Sequence, residues 1–363
     1  MSKEFSVRLY QTGDEEGIVD LLKLSFPEWA KREAPLDYWK WKYLDTPLGS
    51  VVVVAVRDDK IIGSAHRINF NVKIEALVYS YQLGDDLATH PDFRGMGVYN
   101  KIMVFIEKLR LKENKILLSI TSNPITINDQ IKRGRIIFPH LISHMIRVKN
   151  VGLHLKAKSV KNAKIIKFGL SFFKALNRLK NILSFTLHSK HKEDFEIIQT
   201  TSFDDRINTF WEKGKDSYNF ILEKNSGYMN WRYCDPRAGH YVVKQAVKDG
   251  EVLGFIVLEL RKDGDYAEGY VADLLALPGR MDFAEALLKN ACKYFDDIGV
   301  NAVNYRAVKG HPYLSLFSRN GFLDTPRISN MHVIWDFNGS EREYEVIKAS
   351  HPDKVHFNYG DYL

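Results

Sequence analysis

Leu83-Gly84-Asp85-Asp86-Leu87-Ala88-Thr89, running directly into His90-Pro91-Asp92-Phe93-Arg94-Gly95-Met96-Gly97-Val98, is the stretch that decides the fold of this chain. The first seven residues read as a strand ending ahead of Pro91. Beyond Gly97, the apolar residues Val98, Ile102, Phe105, Ile106 and Leu109 fall on one stripe of a helix. Glycines at 95 and 97 allow a tight turn and put no side chain in the way of an approaching group. N–H groups are left pointing outward at a helix N-terminus, where the helix dipole is positive. Strand, glycine turn and helix start in that order make a cradle for an anion, and a pyrophosphate suits it. Arg94-Gly95-Met96-Gly97 taken alone is also an ordinary strand-to-helix turn. Its surroundings decide between the two.

Outward from this stretch the chain repeats itself. Tyr38-Trp39-Lys40-Trp41-Lys42-Tyr43 with Pro47 is matched by Tyr228-Met229-Asn230-Trp231-Arg232-Tyr233 with Pro236. Each is followed by two β-rich runs joined at a charged turn: Val51 to Val56 and Ile61 to Arg67 in the first half, Tyr241 to Val247 and Val252 to Leu258 in the second. A third strand runs into Pro91 or Pro278, a helix follows, and Asn123-Pro124 with Gly134 answers His311-Pro312 with Gly321. The offsets are 190 for Trp41 to Trp231, 191 for Gly63 to Gly254, 187 for Pro91 to Pro278 and 188 for Pro124 to Pro312. Such steadiness indicates a duplicated domain. Within each half the order helix, hairpin, strand, helix, strand, helix predicts a mixed sheet flanked by helices. Thr12-Gly13-Asp14-Glu15 has the form of a capping box for the opening helix.

A chain of 363 residues, 45% apolar and 27% charged, has room for two buried cores. Its two cysteines, Cys234 and Cys292, make neither a disulfide framework nor a cysteine zinc site, and a reducing, cytoplasmic setting is expected. The start shows no signal-peptide core, and no apolar run approaches the length that spans a bilayer. The net charge of +7 is local: Lys149 to Lys192 holds ten Lys, Arg178 and no acid, so that segment is at +11 and the rest of the chain at −4. Within it Ile165, Phe168, Phe172, Leu176, Leu179 and Leu183 share a helical face, with Lys164, Lys167, Lys174 and Arg178 elsewhere. A connector with a solvated lysine face accounts for it, and weak contact with an anionic membrane surface is the alternative. Nucleic acid is not the expected partner.

With its strand and the following Asn123-Pro124, the loop Arg94 to Tyr99 resembles that of the GNAT acetyltransferases, which reads Arg or Gln, two residues, Gly, one residue, then Gly or Ala. Arg94 and Gly97 fit, and Tyr99 stands where the family has a small residue. The run Ala88 to Arg94 is similar to the tandem-domain group related to the enhanced-intracellular-survival acetyltransferases. The resemblance implies an α/β (α+β) fold of two tandem GNAT-like domains: residues 1–150, acyl-CoA-binding; 151–195, a basic helical linker; 196–340, a second domain; and 341–363, a tail. It also implies an N-acyltransferase with acetyl-CoA or another acyl-CoA as co-substrate, no metal, and a small-molecule amine acceptor such as an amino sugar; the alternatives are a non-catalytic acyl-CoA-binding sensor or membrane-surface adaptor, or an aminoacyl-tRNA-dependent transferase. Phe93, Arg94, Gly95, Met96, Gly97, Val98 and Tyr99 would hold the pyrophosphate. Leu87, Ala88 and Thr89 would hold the pantetheine in a gap beside the strand of Ile116 to Ser122, a backbone N–H near Ala88 or Thr89 would polarise the thioester, and Asn123 would lie near the thiol.

The base is less legible. Many members take the acid from a Tyr four residues before the glycine ending the last helix; Gln130 stands there ahead of Gly134 and Phe317 ahead of Gly321. Asp85 shares a strand face with Thr89 and is the first candidate for the base, His90 the second, while Asp86 points the other way and matches Asp273 as a structural residue. A C-terminal carboxylate, Leu363, is a third candidate implied by the resemblance. In the second half, Pro278-Gly279-Arg280-Met281-Asp282-Phe283-Ala284 replaces the loop, and Asp282 opposes a pyrophosphate, so this domain is expected to have lost CoA binding. His140 and His144, four apart, lack a third metal ligand.

Overall fold

The computed structural model describes residues 4–121, 123–157, 194–325, 332–337 and 341–361. Most of the basic connector, including Ile165 to Leu183, and the C-terminal Leu363 lie outside the described residues. The chain forms two compact units. One takes residues 1–139, 235–238 and 331–349, the other 140–234, 239–330 and 350–363. These units do not follow the boundaries read from sequence, because each sheet borrows a strand from the other half of the chain.

The first unit contains β1 (Ser6–Leu9), α1 (Glu15–Ser25), α2 (Pro27–Ala30), α3 (Pro35–Tyr43), β2 (Ser50–Arg57), β3 (Lys60–Ile74), β4 (Leu77–Thr89), α4 (Val98–Lys112), β5 (Ile116–Thr121), α5 (Pro124–Lys132) and β6 (Ile136–Ile137). The second contains β7 (Ile142–Val148), β8 (Glu196–Thr200), the short buried β9 (Phe220–Leu222), β10 (Tyr241–Lys248), β11 (Glu251–Asp263), β12 (Tyr266–Ala276), β13 (Ala302–Val308) and β14 (Leu323–Thr325). Finally β15 (His332–Asp336) returns to the first sheet. The strand orders are β1-β2-β3-β4-β5-β15-β6 and β14-β7-β13-β12-β11-β10-β8. Thus β15 sits antiparallel between β5 and β6, and β7 lies antiparallel to β13 and β14 in the second sheet. His144 therefore lies on a strand, and its Nε2 is 3.0 Å from Asn304 Oδ1.

The hairpins form where the β-branched runs predicted them. Asp58 and Asp59 both have positive φ, as do Asp249 and Gly250, the backbone that a two-residue hairpin turn demands. Thr12 does not cap α1; Asp14 is its N-cap residue, its carboxylate is held by Arg8 at 2.6 Å, and no side chain caps the helix. The first core gathers Val53, Ala55, Ile62 and Ala65 of the sheet against Val98, Ile102, Met103 and Ile106 of α4. Burying each large aliphatic contributes about 1.5–3 kcal/mol. The repeated glycine has a packing reason: a Cβ on Gly63 would meet Val98 Cγ1 at 2.6 Å and Ile102 Cδ1 at 2.8 Å, so its absence lets the start of α4 lie directly on β3. Gly254 does the same against Leu287, 3.2 Å from its would-be Cβ. Among the described residues no helix is long and apolar enough to cross a membrane.

Candidate active site

The site begins where a ladder stops. β4 and β5 run parallel with Tyr81 to Gly84 opposite Ile116 to Ser119, and beyond Gly84 and Ser119 they no longer pair. On its other edge β4 stays bonded to β3 as far as Thr89 opposite Gly63, and His90 N–H donates to Ile62 O at 2.9 Å. Successive residues of a strand direct their backbone groups to opposite edges, so Thr89 N–H faces the gap. A cleft of ≈ 1080 Å³ opens along it, with Leu87, Thr89, Arg94 and Tyr99 on one wall and Ser119, Thr121 and Asn123 on another.

At its open end stands the start of α4. Gly95 and Gly97 have φ of +78° and +81°, in the left-handed region that glycine adopts without strain. A Cβ at either would meet nothing within 4 Å, so the glycines serve backbone shape and exposure rather than packing. No side chain caps the helix and its first turn holds no acid. The N–H groups of Val98, Tyr99 and Asn100 have no partner within the helix, as at any helix start, and Arg94 is exposed beside them. Tyr99, at the position where the motif expects a small residue, sends its hydroxyl to Asp129 Oδ2 of α5 at 2.5 Å. Burial and Asp129 push it up to about 12. Leu87, Phe93 and Met96 pack against the α4 core, where Val98 is buried, and Ala88 is likewise buried, so these residues can meet a ligand chiefly through their backbone.

The carboxylates are arranged differently from the strand alternation. Between Ser64 and His66 the β3–β4 register slips, giving β4 one extra residue, and Asp86 takes φ +41°. This bulge reverses the expected sidedness. Asp85 and Asp86 converge on one cation: Lys42 Nζ lies 2.5 Å from Asp85 Oδ2 and 3.1 Å from Asp86 Oδ2. Asp86 also accepts from Trp29 Nε1 at 3.0 Å and from the Tyr43 hydroxyl at 2.5 Å. Burial would raise Asp86, yet Lys42 and these donors hold it below the usual carboxylate range. Asp85 moves the other way, raised by burial and by Asp86 against the pull of Lys42. Burial drives His66 down to about 4. Trp39 Nε1 donates to its Nε2 at 3.0 Å, which leaves the ring proton on Nδ1, 3.1 Å from Asp86 O.

Of the sequence candidates, Asp85 lines the cleft. His90 is buried, and its Nδ1 accepts from Asp92 N–H at 3.3 Å, capping the short turn Pro91–Phe93. Asn123 lines the cleft while its Oδ1 caps α5 by accepting from Ile125 N–H at 3.0 Å. The cleft also holds residues that sequence reasoning passed over, Arg67, Ser119 and Arg135, with Gln130 in the place of the missing Tyr. An arginine inside the apolar strand run Ile61 to Phe70 was the available signal, since a buried guanidinium demands partners. Among the described residues no group of three or more His, Cys, Asp or Glu is placed to hold a metal.

In the second unit the corresponding features are spent within the protein. Arg280 binds its own neighbour Asp282 through Nε at 3.0 Å and Nη2 at 2.8 Å. The parallel ladder of β12 and β13 stops at Val271 and Tyr305, and past it Asn358 bridges to Ala307, Tyr359 stacks on Tyr270 at 5.1 Å, and Gly360 packs so closely that a Cβ would lie 2.8 Å from Ala272 O. Asp361 and Asp273 both bind Lys224, the latter at 2.7 Å. The C-terminal segment thus fills the second gap. Leu363 lies outside the described residues; Asp361, two before it, belongs to the second unit.

The model of the acetyltransferase (GNAT) domain matches residues 6–122. No curated protein matches the chain. Among solved structures, a probable N-acyltransferase of unknown function from Enterococcus faecalis V583 aligns with a TM-score of 0.62 at 9% identity, over 92% of this chain and 72% of that one. A tandem GNAT protein from the clavulanic acid biosynthesis pathway aligns at 0.53 and 14%, over 92% and 98%. Saccharomyces cerevisiae N-myristoyltransferase with bound myristoyl-CoA aligns at 0.52 and 11%, over 93% and 84%. At these identities the likeness is one of fold.

Proposed function

We propose that this chain, whose residues 6–122 match the model of the acetyltransferase (GNAT) domain and whose described residues form two GNAT-like sheets, is an acyl-CoA-dependent N-acyltransferase working through its first unit. The observation that carries this is the end of the β4–β5 ladder at Gly84 and Ser119 beside a glycine-led, uncapped helix start. Arg94 and the amides from Gly95 to Tyr99 would take the pyrophosphate. The pantetheine would run as an extra strand along Asp85–Thr89, with Thr89 N–H donating to the thioester carbonyl as its oxygen gains charge. An acceptor amine then attacks the carbonyl carbon, the C–S bond breaks, the amine loses a proton and the departing thiolate gains one. Asp85, raised in proton affinity and lining the cleft, is the proposed base. The second unit does not bind CoA, since its loop arginine and its gap are taken by Asp282 and the C-terminal segment.

Acetyl-CoA is the family's commonest donor, and an amino sugar is the acceptor class suggested by the tandem resemblance. The deciding experiment is a thiol-release screen with acyl-CoA donors and a panel of amines. Release that depends on an amine supports the transferase. CoA binding with no release from any pair would make the chain an acyl-CoA sensor instead.

A further inference from the structure

We infer that the cleft contains a pocket for one carboxylate, formed by Arg67 and Arg135 next to the closed end of the gap. This rests on the acyl-CoA reading of the first unit and names the chemistry of the group that reaches its far end.

Arg67 of β3 and Arg135, which follows α5, both line the cleft and are 3% and 5% exposed. Arg110 of α4, 1% exposed, completes a cluster of three guanidiniums. Two carboxylates answer them. Glu107 accepts from Arg67 Nη2 at 3.0 Å, Arg135 Nη2 at 2.8 Å and Arg110 Nε at 2.8 Å. Asp336 of β15 accepts from Arg110 Nη2 at 2.8 Å and lies 3.7 Å from Arg135 Nε. Counted over these described groups, three positive charges face two negative, which leaves one positive charge in excess.

The hydrogen-bond inventory points the same way. Among the described residues, Arg67 Nη1 and Arg135 Nε are buried donors with no hydrogen-bond partner, in side chains that line the cleft. A buried charged donor left without an acceptor is destabilising, so two together call for a ligand that accepts. Burial brings Arg67 down to about 10, with Arg135 and Arg110 adding to the effect against Glu107, the direction an incoming anion reverses.

The position fits the far end of the donor. Arg67 is paired with Gly84, the residue at which the β4–β5 ladder ends. A pantetheine entering at Arg94 and running along Thr89 to Asp85 brings its acyl group toward that point. One planar anion of charge −1 matches both the guanidinium geometry and the charge deficit, whereas a phosphate dianion exceeds it. The carboxylate has two possible sources: the distal end of a dicarboxylic monoacyl-CoA, or an amino-acid acceptor. In either case it is a spectator of the transfer.

Calorimetry with CoA, acetyl-CoA and succinyl-CoA, and thiol-release kinetics comparing amino acids with their amides on acetyl-CoA, test this in the wild-type protein and in Arg67→Met. The expected result is a preference of at least about tenfold for the carboxylate-bearing compound in the wild type, lost in Arg67→Met. Tighter succinyl-CoA assigns the carboxylate to the donor; a lower KM for amino acids than for their amides assigns it to the acceptor. A wild-type protein that binds CoA and shows neither preference overturns the pocket while the transferase stands, and this arm does not depend on how Arg67→Met folds. A wild-type protein that does not bind CoA overturns the acyl-CoA reading, and the inference with it.

Discussion

Replacing Lys42 by Met removes the single cation on which Asp85 and Asp86 converge while keeping an apolar stem of similar length. In the native protein Lys42 is 5% exposed, and burial alone would pull it down, yet the two carboxylates hold it well above the usual lysine range. Breaking a buried pair from one side costs about 3–5 kcal/mol. The structure also sets a ceiling, because a stranded carboxylate can take up a proton instead. At pH 7 that costs about 4 kcal/mol for an ordinary carboxyl near 3.9, and at pH 5 about 1.5 kcal/mol. Lys42→Met should therefore lower stability in urea unfolding by about 3–4 kcal/mol at pH 7 and by less than half of that at pH 5. Adding Asp85→Asn and Asp86→Asn should recover most of the loss, since a neutral cluster of the same shape strands no charge. A loss below about 1 kcal/mol, or one equal at both pH values, would show that Lys42 is not the counter-charge of this pair.

Three further outcomes follow from the same geometry. Asp85→Asn is expected to lower the rate of transfer by about 100-fold with little change in acetyl-CoA affinity by calorimetry, and wild-type turnover would return Asp85 to a structural role. His66, at about 4 when folded against about 6.5 when unfolded, takes its proton first in the unfolded chain, so its stabilisation is complete above about pH 6.5 and is lost as pH falls toward 4; between pH 7 and 5, His66→Gln should lose less stability than the wild type does. Neutralising Lys164, Lys167, Lys174 and Arg178 together should leave CoA affinity intact, and any effect should appear as salt-dependent loss of sedimentation with anionic vesicles.

Local chemistry made much of this protein legible. The apolar stripe from Val98, the two glycines and the steady repeat offsets are signals that neighbouring residues carry, and the structure builds the α4 start, the hairpins and the paired sheets from them. Non-local choices were not legible. Nothing near Ile142 or His332 says that each strand will complete the sheet of the other half of the chain, because edge strands of similar pattern compete for the same partners and the winner is set by the whole fold. The sidedness of Asp85 and Asp86 failed for a related reason: a one-residue bulge reverses every inference from alternation beyond it, and a non-glycine residue at φ +41° leaves no mark in the sequence. Arg67, Arg110 and Arg135 lie far apart in sequence and meet only when β3, α4 and the chain after α5 fold around Glu107.

The central claim is that the first unit alone binds the nucleotide donor, at the start of α4. Calorimetry of CoA with the wild type, Gly97→Asp and Arg280→Ala tests it most directly. A Cβ at Gly97 meets nothing within 4 Å, so the folded protein has space for the side chain, while φ +81° and a carboxylate facing a dianion both act against the ligand. The expected result is CoA binding by the wild type, none in Gly97→Asp, and wild-type affinity in Arg280→Ala, whose guanidinium is already held by Asp282. Equal losses in both variants, or undiminished binding in Gly97→Asp, would contradict the account.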